Sequence, residues 1–238
     1  MKTLVVLPAF NEAATLGRVL DRIRAVTPGL PVVVVDDGSA DATGEIARKS
    51  GAQVLRLPFN MGVGVALQTA YKYALREGYD CVVQLDSDGQ HEPADIPALL
   101  DVIKRGEADL AVGSRFLGAG EYDPETIRRL GMRLFQLLAV ALTGVKFSDV
   151  TSGFRALSAE VLHFFTAERY PVDYPDADVL MMLTRAGFRI KEVPVRMYPR
   201  TEGCSQHAGL RPIYYVFKML LSVILTVLRH ESFKQRGA

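Results

Sequence analysis

Five short, mostly apolar runs, at 3–7, 31–35, 53–57, 81–85 and 110–112, punctuate the first half of the chain, and each gives way to a polar turn. Runs this short, bounded by turn residues and lacking strict alternation, fit strands of a parallel sheet covered on both faces. The second is the plainest, with Val32, Val33, Val34 and Val35 in succession. Between the runs the apolar period changes to that of a helix. Leu16, Val19, Leu20 and Ile23 predict the first helix. Asp41 can cap a second, which Gly51 ends. A third follows Asn60-Met61-Gly62-Val63-Gly64 and runs to about Glu77, and a fourth spans 96–105. Strand and helix alternate throughout, which predicts an α/β layer fold with a mainly parallel central sheet flanked by helices.

In such sheets ligands bind at the carboxyl ends of the strands. Four polar clusters fall there: Asn11 and Glu12, Asp36 and Asp37, Asp86 to Gln90, and Ser114 with Arg115. Four clusters at one edge favour a single composite site. Asp86 and Asp88 stand two residues apart, with Gln90 two further on. Two carboxylates this close repel by about 4 kcal/mol at an effective dielectric near 20, so a fold that keeps them together offsets the charge. A hard divalent cation such as Mg²⁺ or Mn²⁺ does so with oxygen ligands and completes its shell from phosphates. The other reading of Asp-Ser-Asp-Gly-Gln is a solvated turn.

Beyond residue 120 the pattern loosens. A helix is expected over 124–143, carrying Arg128, Arg129 and Arg133, and 149–155 reads as a polar knot. The acids Asp173, Asp176 and Asp178 precede a helix ending near Ala186. Residues 189–198 alternate like a strand, 199–209 read as a polar loop, and a helix is expected over 213–228. The division expected is a catalytic domain at 1–209 and a basic amphipathic tail at 210–238.

Composition sharpens this only at the tail. The 238 residues are 49% hydrophobic and 23% charged, enough for one large globular domain. The formal net charge of +1 is unevenly spread, since residues 189–238 hold nine Lys or Arg against three acids. The apolar run at 213–228 is 16 residues long, about 24 Å as a helix against a hydrocarbon core of about 30 Å, too short to span it. Basic charge with interfacial aromatics suggests contact with a membrane surface, and a dimer helix is the rival. Residues 3–7 lead straight into Pro8 and a polar turn, unlike a secretory signal peptide. Cys81 and Cys204 show no metal-ligand spacing and read as reduced thiols of a cytosolic protein. The first turn has no G-x-G-x-x-G, which argues against a dinucleotide-dependent dehydrogenase, and no nucleic-acid partner is expected.

Taken in order, the motifs are L-P-A-F-N-E at 7–12, V-D-D-G-S at 35–39, N-x-G at 60–62, D-S-D-G-Q-H at 86–91, G-S-R at 113–115, T-S-G-F-R-A at 151–156 and E-V-P-V at 192–195. With these the chain resembles the family 2 glycosyltransferases of the GT-A fold, a Rossmann-like nucleotide-diphospho-sugar transferase fold. It is most similar to the branch of dolichol-phosphate mannose synthase and its bacterial polyprenyl-phosphate relatives. The resemblance extends to about residue 210. It implies that Pro8, Ala9, Glu12 and Asp37 hold the nucleobase and ribose of a sugar nucleotide, with Asp36 alongside. Asn11, Gly38, Gly62, Gln84 and Ser87 fall in the same nucleotide-sugar site. It further implies that Asp86, Asp88 and Gln90 bind Mg²⁺ or Mn²⁺ bridging the donor diphosphate. Arg115 and Arg128 or Arg129 would receive the acceptor phosphate, and Arg200 with Ser205 would close over the diphosphate. Gln206 stands where the family usually has Lys, so this loop offers one positive charge fewer.

The acceptor decides what else is needed. A sugar hydroxyl needs a carboxylate base, for which Asp176 and Asp178 are candidates. A phosphate monoester, with a second pKa near 6, arrives already ionised and needs only positive charge to position it. The arginines favour the second, a metal-dependent inverting transfer to a polyprenyl phosphate at the cytoplasmic face of a membrane, with a small integral membrane partner or a homodimer as further expectations. A non-catalytic scaffold that binds sugar nucleotides is the reading of a different class. His91 is expected to be a turn or neighbouring residue rather than a base.

Overall fold

The computed structural model describes residues 1–117, 145, 147–166, 170 and 177–198. The expectations for 124–143, for Arg128, Arg129, Arg133, Asp173, Asp176, Arg200, Cys204, Ser205 and Gln206, and for the tail lie outside the described residues.

Among the described residues seven strands form one sheet: β1 (Thr3–Ala9), β2 (Val32–Asp36), β3 (Gln53–Arg56), β4 (Cys81–Gln84), β5 (Leu110–Ser114), β6 (Arg155–Ser158) and β7 (Ile190–Pro194). Their order across the sheet is β3-β2-β1-β4-β6-β5-β7. All pairings are parallel except those of β6, which runs against β4 and β5. The helices are α1 (Leu16–Val26), α2 (Thr43–Lys49), α3 (Val63–Arg76), α4 (Ile96–Lys104), α5 (Ala159–Thr166) and α6 (Ala177–Arg185).

The apolar runs become strands because they are buried on both sides. Alternate residues face opposite layers. Val33 and Val35 join a cluster with α3, α5 and α6, while Val32 and Val34 join one with α1, α2 and α4. Each buried valine contributes about 1.5–3 kcal/mol of apolar transfer, and all five residues of β2, the closing Asp36 included, are buried. The helix-period residues Leu16, Val19, Leu20 and Ile23 are the buried stripe of α1. The N-cap of α2 is Ala42, one residue after the expected Asp41, which from outside the helix still accepts the Thr43 N–H at 3.0 Å, and Gly51 follows its end at φ 65°.

Two elements differ from the expectation. The polar knot leads directly into β6, and 159–166 form α5, where the sequence pattern gave neither. β7 is shorter than the alternation at 189–198, but the chain returns to the sheet edge at an isolated antiparallel bridge between His91 and Met197. The reversal of β6 matters for the site. Because it runs backwards, its start, not its end, lies at the edge where β1, β2, β4 and β5 finish. The segment 151–155 therefore arrives beside 86–91.

Candidate active site

The first wall of the site is two loops stapled together. After β1, Asn11 takes a left-handed conformation, φ 55°, which Asn tolerates better than most residues. Its backbone N–H donates to Ser39 Oγ at 3.0 Å and its side-chain oxygen accepts the Ala40 N–H at 2.9 Å. The Glu12 N–H donates to Thr43 Oγ1, and the Ala13 N–H to Asp41. Asp36, wholly buried, turns the chain by accepting the Ser39 N–H at 2.9 Å. Asp37 spans to a third loop, accepting Met61 N–H and Gly62 N–H at 2.8 and 2.9 Å. Gly38 is needed there, since a Cβ would lie 2.5 Å from the Phe59 carbonyl carbon. Pro8, Ala9, Asn11, Glu12, Asp36, Asp37, Gly38 and Gly62 thus form one contiguous cradle.

The second element is the loop after β4. The Ser87 hydroxyl donates to the Pro8 carbonyl at 2.8 Å, tying this loop to the first. The Thr15 hydroxyl lies 2.9 Å from a Glu12 carboxylate oxygen and 3.1 Å from the Ser87 carbonyl. Asp88 accepts the backbone N–H of Gln90 at 3.0 Å, which holds its carboxylate against the turn of its own loop. Asp86 is held from two sides. His91 Nε2 lies 2.9 Å from its Oδ2, and Gly153 packs so close that a Cβ there would come within 2.8 Å of Oδ1. Desolvation alone raises the Asp86 pKa, but the hydrogen bond and electrostatic influence of His91, with the positive charge of Arg155 and Arg115, outweigh it and hold the carboxyl below its usual value.

The loop is also pinned to the end of the β7 segment. Tyr198 N–H donates to the Gln90 carbonyl at 2.8 Å, Glu92 N–H to the Arg196 carbonyl at 3.3 Å, and Gln90 Nε2 to the Tyr198 carbonyl at 3.3 Å. Tyr198 Oη and Arg22 both donate to Glu92. With its amide nitrogen so engaged, Gln90 keeps its side-chain oxygen as the atom to offer a cation.

A third wall comes from 148–155. Arg115 is buried and forked onto Asp149, with Nε and Nη2 each 2.6 Å from a carboxylate oxygen, and Nη2 also reaches Thr151 Oγ1. Glu192 in turn accepts the N–H groups of Ser148 and Asp149 at 2.8 Å. G-S-R, the polar knot and E-V-P-V are therefore parts of one hydrogen-bonded block. Arg155, fully buried, donates from Nε to the Ser152 carbonyl and lies opposite Gln84 in the register.

The structure brings most of the expected residues to this edge, but Gln84, Arg115 and Asp178 are engaged or buried in ways the sequence did not suggest. Gln84 turns into the core, where its oxygen accepts the Tyr71 hydroxyl, whose pKa burial pushes up to about 12. Arg115 spends most of its guanidinium on Asp149 and Thr151. Asp178 is 3% exposed at the start of α6, a poor position for a base that must meet a substrate hydroxyl. Sequence reasoning did not find Gly153 as the neighbour of Asp86, Asp149 and Glu192 as the setting of Arg115, or Tyr198 beside Gln90. Each pairing spans 34 or more residues, and only the glycine in T-S-G-F-R hinted at a close approach.

Among the described residues no group of three or more His, Cys, Asp or Glu side chains could hold a metal ion. The donor set present, two carboxylates and an amide oxygen, instead fits a hard cation that takes its remaining ligands from a diphosphate and water.

Comparison with known proteins agrees with this geometry. The model of Glycosyl transferase family 2 matches residues 4–165. The chain is 32% identical to a polyprenol monophosphomannose synthase of Mycolicibacterium smegmatis, over 92% of this chain and 85% of that one. It is also 32% identical to an undecaprenyl-phosphate mannosyltransferase of Micrococcus luteus, over 88% of each. Among solved structures, glucosyl-3-phosphoglycerate synthase from Mycobacterium tuberculosis, in complex with Mn²⁺ and UDP-glucose, superposes with a TM-score of 0.73 at 26% identity. It covers 97% of this chain and 80% of that one. The fold is that of the GT-A glycosyltransferases.

Proposed function

Because this chain belongs to glycosyl transferase family 2 and is a glycosyltransferase, we propose that it moves a hexose from a UDP- or GDP-sugar to a polyprenyl phosphate, with inversion and with a divalent cation. The observation that carries the reading is the meeting of two structures at one sheet edge. One is the stapled cradle of Asn11, Glu12, Asp36 and Asp37; the other is the Asp86–Asp88–Gln90 loop bound to it through Ser87 and Thr15.

In this reading Asp37 and Glu12 face the nucleoside, and Asp86, Asp88 and Gln90 hold Mg²⁺ or Mn²⁺. The cation would neutralise charge on the departing nucleoside diphosphate. The chain's own residues orient the donor and set the cation ligands in advance, which lowers the reorganisation needed as the bond breaks. A phosphate acceptor needs no base, and the burial of Asp178 weighs against a hydroxyl acceptor. Arg115 belongs to the acceptor side, with Arg129 and Arg200 assigned to the phosphates by resemblance alone. The basic segment 210–238 seats the enzyme on an anionic membrane surface at the cytoplasmic face. A scaffold that had lost catalysis would have no use for two carboxylates and an amide at this spacing.

The test is a transfer assay with undecaprenyl phosphate against a panel of UDP- and GDP-sugars, with Mn²⁺, Mg²⁺ or a chelator. One sugar nucleotide is expected to give a chloroform-soluble sugar phosphate, and chelation is expected to stop it. Asp88→Asn is expected to lower turnover by about 10²-fold or more with an unchanged melting temperature. Full turnover in chelator, or in Asp88→Asn, would refute the cation assignment.

A further inference from the structure

We propose that His91 is the positioning residue of the cation loop: from a buried seat beneath it, His91 Nε2 fixes the Asp86 carboxylate so that its two oxygens are differentiated before a cation arrives. The inference rests on the reading of Asp86, Asp88 and Gln90 as cation ligands and deepens it.

An aspartate carboxylate turns easily about its last torsion, which is broad and roughly two-fold. A ligand that must meet a cation at a fixed distance loses affinity to that freedom. His91 removes it. Its Nε2 lies 2.9 Å from Asp86 Oδ2, and the ring is 3% exposed and tilted against Phe154 at 5.2 Å between centroids. The backbone of 91 is bridged to Met197, and the N–H of the next residue is bonded to Arg196. The ring has nowhere to move, so neither does the oxygen it holds.

The ring's other nitrogen shows that packing alone does not explain the residue. Nδ1 is buried and has no hydrogen-bond partner. Buried polar atoms are usually satisfied, and leaving one unmet costs about 1–3 kcal/mol. A seat against Phe154 would accept Phe or Leu without that cost. What a hydrocarbon cannot supply is the donor to Asp86. The groups that orient metal ligands from behind act in this way, and their loss weakens metal binding by about 10–100-fold.

The experiment measures Mn²⁺ affinity of the full chain, with UDP and with GDP present, from the electron paramagnetic resonance signal of free Mn²⁺. Asp88→Asn is expected to lose binding. His91→Phe is expected to bind 10–100-fold more weakly while melting no lower than the parent. His91→Gln, which carries an N–H donor on a side chain of similar reach, is expected to recover most of the affinity. Parent-like Mn²⁺ binding by His91→Phe, with binding lost in Asp88→Asn, would overturn this inference and leave the cation site standing. Binding retained in Asp88→Asn would sink the cation reading and this inference with it. A measurement on the unmutated chain covers a variant that does not fold. The ¹⁵N resonance of His91 Nε2 is expected to shift when Mg²⁺ and nucleotide are added together, and a resonance that stays in place overturns the proposal.

Discussion

Gly153 is the residue at which one methyl group would reach the chemistry. A Cβ there would stand 2.8 Å from Asp86 Oδ1 and 2.9 Å from Oδ2, closer than real contacts allow. Its backbone is not in the left-handed region that favours glycine, so alanine is compatible with the local chain and only the approach to Asp86 forbids it. Gly153→Ala is therefore expected to push the carboxylate away from its His91-bonded position. Displacements of this size at a reacting centre lower rates by about 10²-fold, while overpacking costs about 1–3 kcal/mol of stability. Turnover and urea unfolding on the same preparation would separate the two. A loss of stability with undiminished turnover would show that Asp86 need not be held where it is. The Gly38 contact with Phe59 is of another kind, because Gly38 has φ 70° and a close backbone neighbour together.

Among elements, the short strands and the buried stripes of α1 and α4 were legible, because each is long enough to carry its own period. The ends of β1, β2, β4 and β5 were legible as a site for the same reason: each apolar run stops at charged residues that have no place in a core. β6 was not, being four residues of which the first is a fully buried arginine and the last a serine. No local pattern marks such a strand. Only its pairing between β4 and β5 makes it one. The block it introduces gives a sharp prediction. Arg115 and Asp149 form an ion pair with both side chains buried, and Glu192 fixes Asp149 from the β7 side. Removing one member of a buried pair strands the other, at a cost of about 3–5 kcal/mol. Asp149→Ala is expected to fall in that range by urea denaturation. Lys191→Ala, whose ion pair with Glu107 is solvent-exposed, is expected to cost under about 1 kcal/mol. Equal costs would mean that the Asp149 pair is not what holds this wall.

At the scale of the whole molecule, the proposed polyprenyl-phosphate acceptor would be held in a membrane, and the sequence has one segment suited to meet that surface. Among the described residues no helix is long and apolar enough to cross a membrane. The sequence places its positive excess elsewhere, with six Lys or Arg between 198 and the C-terminus against two acids. Each basic residue near an anionic surface contributes about 1 kcal/mol, an attraction that salt screens within a Debye length of about 10 Å at 0.1 M. Apolar side chains of 213–228 would add a contribution that salt does not weaken. The two parts predict a graded result rather than simple binding or its absence. The intact chain is expected to float with vesicles containing phosphatidylglycerol, less so with neutral vesicles, and to remain partly bound in 1 M salt. A chain ending at Gly209 is expected to stay in the aqueous fraction in every condition and still to bind a sugar nucleotide. Equal partitioning of the two chains would remove the membrane role from 210–238 and leave a helix between subunits as its use, which sedimentation of the same two proteins would then detect.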